Sequence, residues 1–315
     1  MILLSLVFRC LDPILILAAR STSKDPMFMP VDPQQKRIAD LRRKKFAGGS
    51  KSDHIGFLRA FHLTRELLKN HSQNDAAYML NKEFINYGSM RTIMQTAREI
   101  HDTMVTKKLL PGKTRETGFR ESTRPEGNRK LWDIFGDEEY NTHSGNIGLV
   151  KAILLYGHYP NVAASYGSRL LRTDRDNFAL VHPSSVNCPE APNGSKYGRV
   201  ARDQLVPFGS LYLFSQKVRA NAKQVFLRTT TEVSPMTALF FNGDMTGNRN
   251  VLEVDSWLRM YAEDVSTTRV VLEFKKLVDS FIDHGLSQLS NRYPSNQNIE
   301  PLIVEELASI LLAES

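Results

Sequence analysis

Apolar positions in the first third of the chain recur at helical spacing. Met90, Ile93, Met94, Ala97, Ile100 and Met104 follow intervals of 3, 1, 3, 3 and 4, which puts them on one face of an amphipathic helix. Asn86 stands where its side chain can cap the first turn, and Leu110-Pro111-Gly112 marks the end. Upstream, Ser52-Asp53 caps a helix with Ile55, Leu58, Phe61 and Leu68 facing inward. His54 and His62 lie on it without Cys or His partners at ligand spacing, so they read as helix-start or packing residues. Asp32-Pro33 opens an earlier helix. Ile38, Leu41 and Phe46 give it an apolar side, Lys36, Arg37, Arg42, Arg43, Lys44 and Lys45 cover the rest, and Gly48-Gly49 ends it. The start, MILLSLVFRCLDPILILAAR, is cut by Arg9, Asp12 and Pro13 into two short pieces with no basic residue ahead of them. That suits a membrane span poorly and two buried helices better than a signal peptide, the second helix capped by Asp12 with Pro13 in its first turn; secretion is the alternative.

From Gly145 the period changes. Ile147–Tyr156 is a short apolar helix stopped by Pro160. Short strands follow at Val162–Ala164, Arg169–Arg172, Phe178–His182, Ser210–Val218, Gln224–Leu227 and Thr237–Phe241, separated by turn residues. This spacing predicts a small barrel or sandwich. Leu252–Leu289 reads as helix, with Val265–Thr268 marking a potential break, and Pro301–Leu312 as a short acidic amphipathic helix. Between the two halves, Lys107–Asn141 is rich in Gly, Pro, Arg, Thr and Glu, which predicts a charged linker or insertion docked locally by Trp132, Ile134 and Phe135. The fold class is α+β. A helical bundle (1–110), a charged segment (111–144), a small β-barrel (145–250) and a helical extension with tail (251–315) follow in order.

At 315 residues and 41% hydrophobic positions the chain can bury a sizeable core. Its formal net charge of +7 is uneven. Lys24–Lys69 holds 11 basic against 5 acidic residues, Lys107–Lys130 holds 8 against 3, and Asn298–Ser315 has four Glu and no base. Blocks of positive charge favour an anionic surface or polymer as partner. In Ser210–Asp244 an apolar ribbon surrounds a basic turn, and Gln204–Thr231 contains Lys217, Arg219, Lys223 and Arg228 with no acidic residue. Cys10 and Cys188 are too few and too distant for a disulfide framework, so a reduced intracellular compartment is expected.

No enzyme signature stands out. Pro111-Gly112-Lys113-Thr114 ends like a phosphate loop, but the position needing its first glycine is Lys107 and no strand precedes it. G-x-S-x-G, H-E-x-x-H and C-x-x-C are absent. Binding has better support. His182-Pro183-Ser184-Ser185-Val186-Asn187 offers short polar groups after a strand, although alone it reads as a self-capping turn. Arg219, Lys223 and Arg228 alone read as a solvated basic turn. Brought together on a barrel, the two groups line one nucleic-acid groove.

An ordered set of short matches resembles the C-terminal accessory region of DEAH-box/RNA-helicase-A-like helicases. It runs through Cys10-Leu11-Asp12-Pro13, Asp25-Pro26-Met27-Phe28-Met29-Pro30, Ala39-Asp40, Phe46, Ser52-Asp53-His54 and Phe84-Ile85. It continues with Tyr159-Pro160-Asn161-Val162-Ala163, Val181 to Asn187, Lys217-Val218, and Val225 to Ser234, and spans Leu3 to Phe281. The resemblance implies a ratchet-like helical domain to about Leu110, then an OB-fold, then a helical extension. It implies single-stranded RNA as partner, with His182, Ser185, Asn187, Lys217, Arg219, Lys223, Arg228 and Thr230 as contacts and the basic helix Lys36–Lys45 second. Motor domains in cis or trans, and an activator protein on the OB-fold, are further implied partners. The motor's Walker A, DEAH-box and arginine-finger motifs have no counterpart, so the expectation is an accessory module, either a fragment or a motorless product, not catalytic alone. No cofactor or metal is expected in this chain; ATP and Mg²⁺ would belong to motor domains upstream. No membrane partner is expected, and the nucleus or cytoplasm is the expected location. The alternative is a protein–protein adaptor whose basic face docks a helicase motor or activator.

Overall fold

In the computed structural model, which describes residues 1–111, 132–165, 170–190, 209–221, 224–291 and 300–313, the chain begins with helices α1 (Ile2–Val7) and α2 (Leu11–Ser21). The cap expected from Asp12 is not made. Cys10 holds the N-cap position without capping the helix, its thiol donating to His143 O at 3.2 Å instead. Asp12 lies buried in the first turn, where Arg65 grips it at 2.6 and 2.8 Å and the Phe135 N–H donates to it at 3.0 Å. A carboxylate so enclosed needs a forked partner more than a helix end needs its cap.

Helix α3 (Pro33–Ala47) starts as predicted, with Asp32 accepting the Gln35 N–H at 2.8 Å. Its inner face is not the predicted one. Ala39, Arg43 and Ala47 are buried, whereas Ile38 is 42% and Leu41 60% exposed. Small side chains let α3 lie close on α4 (Asp53–Asn70). At the contact, a Cβ on Gly56 would come within 3.1 Å of the Ala47 backbone nitrogen. Ser52 caps α4, and Ile55, Leu58, Phe61 and Leu68 are buried as expected. The sequence reading passed over α5 (Gln73–Lys82), which Ser72 caps. In α6 (Tyr87–Thr106), Asn86 accepts the Ser89 N–H at 2.7 Å, and Met90, Ile93, Met94, Ala97 and Met104 are buried. Of the predicted docking trio, Trp132 and Phe135 enter this core while Ile134 is 59% exposed. The rest of that charged segment, 112–131, lies outside the described residues.

Helix α7 (Ile147–His158) joins the bundle to a closed barrel made of β1 (Val162–Ser165), β2 (Leu171–Arg172), β3 (Ala179–Val181), β4 (Leu211–Asn221) and β5 (Gln224–Val233). The strand order around the barrel is β1-β2-β3-β5-β4, with β3 parallel to β5 and the other pairs antiparallel. Ala163, Tyr212, Phe214 and Leu227 fill the interior with a small core of their own. The alternate residues Val162, Ala164, Leu211 and Leu213 point out of the barrel yet are also buried, in the same cluster as the residues of α7. Both faces of β1 and of the first half of β4, Leu211 to Phe214, are therefore covered, which is why that half of β4 reads as a continuous apolar run.

Two C-terminal expectations are corrected. Thr237–Phe241 is not a strand but part of α8 (Pro235–Phe240), started by Ser234, which accepts the Thr237 N–H at 3.1 Å, and by Pro235 in the first turn. A Ser-Pro start outweighs the β-propensity of a short apolar run. Leu252–Leu289 is not one helix. It contains β7 (Val251–Val254) and β8 (Leu258–Tyr261), which pair with β6 (Met245–Asn248) in a three-stranded sheet. The turns use left-handed Arg249, Asp255 and Ser256. Val265–Thr268 does not break a helix but begins α9 (Val265–Asn291), where Asp264 accepts the Thr267 N–H at 2.6 Å. The tail forms α10 (Glu300–Ala313), close to the predicted span. It packs against α7 at Gly148, where a Cβ would collide with the Leu311 carbonyl.

Candidate nucleic-acid interface

The start of α4 is bound to the barrel by three consecutive side chains. Ser52 Oγ meets Thr231 Oγ1 at 2.6 Å. Asp53 accepts the Val186 N–H at 3.0 Å on one oxygen and the Thr230 N–H at 2.8 Å on the other. His54 bridges Thr231 Oγ1 and Ser215 Oγ, each at 2.8 Å. Proton positions follow from the end of this chain. A carbonyl only accepts, so His158 Nδ1 carries the proton it gives to Leu154 O at 3.0 Å. His158 Nε2 then accepts the Ser215 hydroxyl at 3.1 Å, and Ser215 in turn accepts His54 Nε2–H. His54 Nδ1 takes the Thr231 proton, and Thr231 takes that of Ser52. Every donor is matched when both rings are neutral. Burial, followed by Arg20 and His158, holds His54 well below the ordinary histidine range. Burial also lowers His158, with the chain's amino terminus and Arg20 adding to it and the Leu154 bond opposing.

A local irregularity in β4 and β5 opens a groove beside this seam. Leu227 belongs to the barrel core, and Thr230 sits opposite Phe214, which also belongs to it. Residues three apart cannot share a face in a regular strand. Thr229 absorbs the mismatch with a φ of 53°, an outlying conformation for a β-branched residue. Consecutive pairs, Ser215-Gln216 and Arg228-Thr229, consequently both face the groove. The groove has a volume of about 580 Å³ and its far wall is the end of α2 with the loop into α3. Arg20, Lys24, Arg43 and Arg228 line it against the single carboxylate of Asp25. Arg43 and then Arg20 hold Asp25 below the usual carboxylate range, although burial works against its charge. Arg43 is largely committed. It bonds Asp25 at 3.0 Å, Met27 O at 2.6 Å and Ser184 O at 3.2 Å. Lys24 and Arg228 are exposed, and among the described residues neither has an ion-pair partner.

The predicted contact residues divide into three groups. Arg228 stands in the groove and His182 beside it. The Ser184 N–H donates to His182 Nδ1 at 3.1 Å, so the proton sits on Nε2. Burial, then Arg228 and Arg43, lower this ring to about 4, so it is uncharged at neutral pH. Ser185, Asn187 and Thr230 form an internal knot. Ser185 Oγ and Thr230 Oγ1 lie 2.7 Å apart, Asn187 Nδ2 donates to Thr230 Oγ1 at 2.9 Å, and Ser185 and Thr230 are fully buried. Buried hydroxyls present no surface to a strand, so Ser185 and Thr230 shape the site instead of touching its ligand. Lys217 and Arg219 are directed to Asp176 at 2.8 and 3.6 Å, away from the groove residues. Lys223 lies outside the described residues. In the basic helix, Arg43 turns inward and Lys44 pairs with Glu190 at 2.6 Å. Sequence reasoning missed Arg20, Lys24, Ser215 and His158 as site residues, and took His54 as a helix-start or packing residue. Their signals were weak: Lys24 opens the basic block Lys24–Lys69, Ser215 lies in the ribbon Ser210–Asp244, and Arg20 and His158 lie only near the matched segments. Among the described residues, no group of three or more His, Cys, Asp or Glu could hold a metal ion.

Comparison with known proteins matches these two halves separately. Residues 1–57 match the helicase-associated domain (HA2), ratchet-like, and residues 150–245 match the oligonucleotide/oligosaccharide-binding (OB)-fold. Ser52, Asp53 and His54 fall at the end of the first match and their barrel partners within the second. The chain is 26% identical over 297 residues to the human ATP-dependent DNA/RNA helicase DHX36, covering 91% of this chain and 26% of that protein. It is 28% identical to the Arabidopsis thaliana DExH-box ATP-dependent RNA helicase DExH3, covering 91% of this chain and 21% of the relative. Against the human ATP-dependent RNA helicase DHX29, identity is 28%, covering 90% and 19%. The chain thus spans about a quarter or less of the length of these curated relatives. In the order of its domains and over 91% of its residues, the chain is similar to the helicase-associated and OB-fold accessory region of DEAH/DExH-box RNA helicases.

Proposed function

We propose that the chain binds single-stranded RNA in the groove between α2 and strands β4 and β5, as the accessory module of a DEAH-box-type ATP-dependent RNA helicase. The observation carrying this reading is the cationic groove at the junction of the two matched domains, where Arg228 and Lys24 are exposed without ion-pair partners among the described residues. Unneutralised cations beside polar loop residues suit a phosphate backbone. The opposite wall supports RNA over DNA. Ser21 donates its hydroxyl proton to Ala18 O at 2.6 Å, and Thr22 and Ser23 donate theirs to Ala19 O at 3.0 and 3.2 Å. Only their lone pairs are left for a ligand, and a ribose 2′-hydroxyl is a donor. Lys217 and Arg219 would extend the track along β4, with part of their charge offset by Asp176. Helicase motor domains, in cis or in trans, would hold ATP and Mg²⁺ and perform hydrolysis.

Fluorescence anisotropy with a labelled single-stranded RNA and its DNA counterpart tests this. The logarithm of affinity should fall linearly with the logarithm of salt, by about 0.7 per neutralised phosphate. Arg228→Glu should weaken binding about tenfold or more, reduce that slope by about 1, and leave the fold intact. Absence of binding at low salt, or affinity indifferent to Arg228→Glu, would sink the proposal. Equal affinity for RNA and DNA would remove the role given to the α2 hydroxyls.

A further inference from the structure

The reversed face of α3 has a consequence on another side of the helical bundle. Ile38, Leu41 and Lys45 follow intervals of 3 and 4, so they form one stripe, and its two apolar members are 42% and 60% exposed. Exposed side chains of this size in a stripe mark an interaction surface more often than isolated ones do. At the Lys45 end of the stripe lies an apolar groove of about 520 Å³. Its floor and walls are Phe46 of α3, Leu63 and Leu67 of α4, and Met79 of α5. Leu63 and Leu67 are one turn apart, a ridge of the kind against which another helix packs. Tyr78, beside Met79, is 63% exposed.

The rim selects the charge of the occupant. Lys45, Arg59 and Lys82 border the groove, and among the described residues none of them has a carboxylate partner. Lys82 lies over the Tyr78 ring at 4.4 Å, and Arg59 caps the end of α3 through Phe46 O and Ala47 O at 3.0 and 2.7 Å. The rim's one carboxylate, Glu83, is already taken by Arg42 at 3.4 Å. We propose that the groove between α3 and α5 docks an acidic amphipathic helix of a partner protein, with its apolar face on Leu63, Leu67 and Met79 and its carboxylates toward Lys45, Arg59 and Lys82. The stripe from Ile38 to Lys45 is about 10 Å long, which suits a contact of two to three helical turns. None of these residues lines the RNA groove, so this docking is independent of the RNA reading.

The test uses the full chain and a fluorescein-labelled 14-residue peptide with leucines at i, i+3, i+4 and i+7 and glutamates elsewhere. Two control peptides replace the glutamates with lysines or interrupt the helix with proline. The acidic helix should bind, move the methyl resonances of Leu63, Leu67 and Met79, and bind at least about tenfold better than the basic one. The double charge reversal Lys45→Glu with Lys82→Glu should cost at least about tenfold, and Leu41→Ser a smaller loss. Far-UV circular dichroism and thermal unfolding of the same variants should match those of the parent chain, which shows that they are folded without relying on the RNA reading. Equal binding of acidic and basic helices, shifts mapping elsewhere, or no binding of any helix would overturn the proposal. A concentration-dependent dimer abolished by Leu41→Glu would assign the face to a second copy of the chain and overturn it equally.

Discussion

The barrel is held to the helical region by two seams of opposite chemistry. On one side Val162, Ala164, Leu211 and Leu213 bury themselves in the cluster that includes α7. On the other, Ser52, Asp53 and His54 meet Thr230, Thr231 and Ser215 almost entirely through hydrogen bonds. Both seams use the same alternate-residue face of β4, apolar at Leu211 and Leu213 and polar at Ser215. Apolar burial is strong but non-directional. A hydrogen bond contributes less net stability and requires one orientation. The apolar seam therefore places the barrel, while the polar seam fixes its angle and with it the shape of the groove proposed for RNA, which it borders through His54, His158 and Ser215.

Breaking the apolar seam should have the largest effect. Leu213→Ala removes a fully buried side chain and should lower unfolding stability by about 2–5 kcal/mol, read from the denaturant midpoint. A loss under about 1 kcal/mol would mean that the seam is loosely packed. Next is Asp53→Ala, which strands the Thr230 and Val186 N–H groups. It should cost about 1–3 kcal/mol for each that stays dry, with Asp53→Asn recovering part. If the polar seam sets the groove's shape, Asp53→Ala also weakens RNA binding more than Leu213→Ala does, and the reverse order would contradict this division of roles.

Acid should weaken the polar seam with the mildest effect, alongside the other histidines held low, His182 among them. His54 and His158 sit below their ordinary value in the folded state, so near and below about pH 6.5 the unfolded chain binds more protons than the folded one. The contribution of these two rings is thus constant above neutrality and falls as pH drops, by at most about 1.4 kcal/mol per pH unit for each histidine. Thermal unfolding at pH 7.5 and 5.5 should show the loss, and His54→Gln should reduce it. A pH-insensitive transition would show that the relay does not require neutral rings.

Much of this was legible in the sequence, for a local reason. Caps at Asp32, Ser52 and Asn86, the methionine stripe of α6, and the five barrel strands all depend on neighbours within a few residues. The failures share a different cause. Ser234-Pro235 is a local signal that was passed over, but the facing of α3 depended on what lay opposite it. Ala47 could approach α4 because Gly56 left room, and Arg43 could be buried because Asp25 and two carbonyls met it. The β6–β8 sheet was lost because each of its strands is only four residues long, too short for period 2 to stand out inside a helical-looking stretch.

The same division runs through the site. Residue order alone established a helical bundle, then a small barrel, then a helical extension, with positive charge concentrated in blocks. The ordered motifs pointed to the helicase accessory region. Only the tertiary structure decided which basic residues stay free. Arg43 and Arg228 are chemically identical in the sequence, yet one is neutralised by Asp25 from a neighbouring loop and the other faces the groove. Likewise Thr229 and Thr230 are adjacent and alike, but a single left-handed residue sends one to the groove and buries the other against Ser185. Backbone period and capping act over a few residues and are written in the chain's order. Arg43 meets Asp25 from 18 positions away and Ser52 meets Thr231 from 179, and such partners come together only after folding.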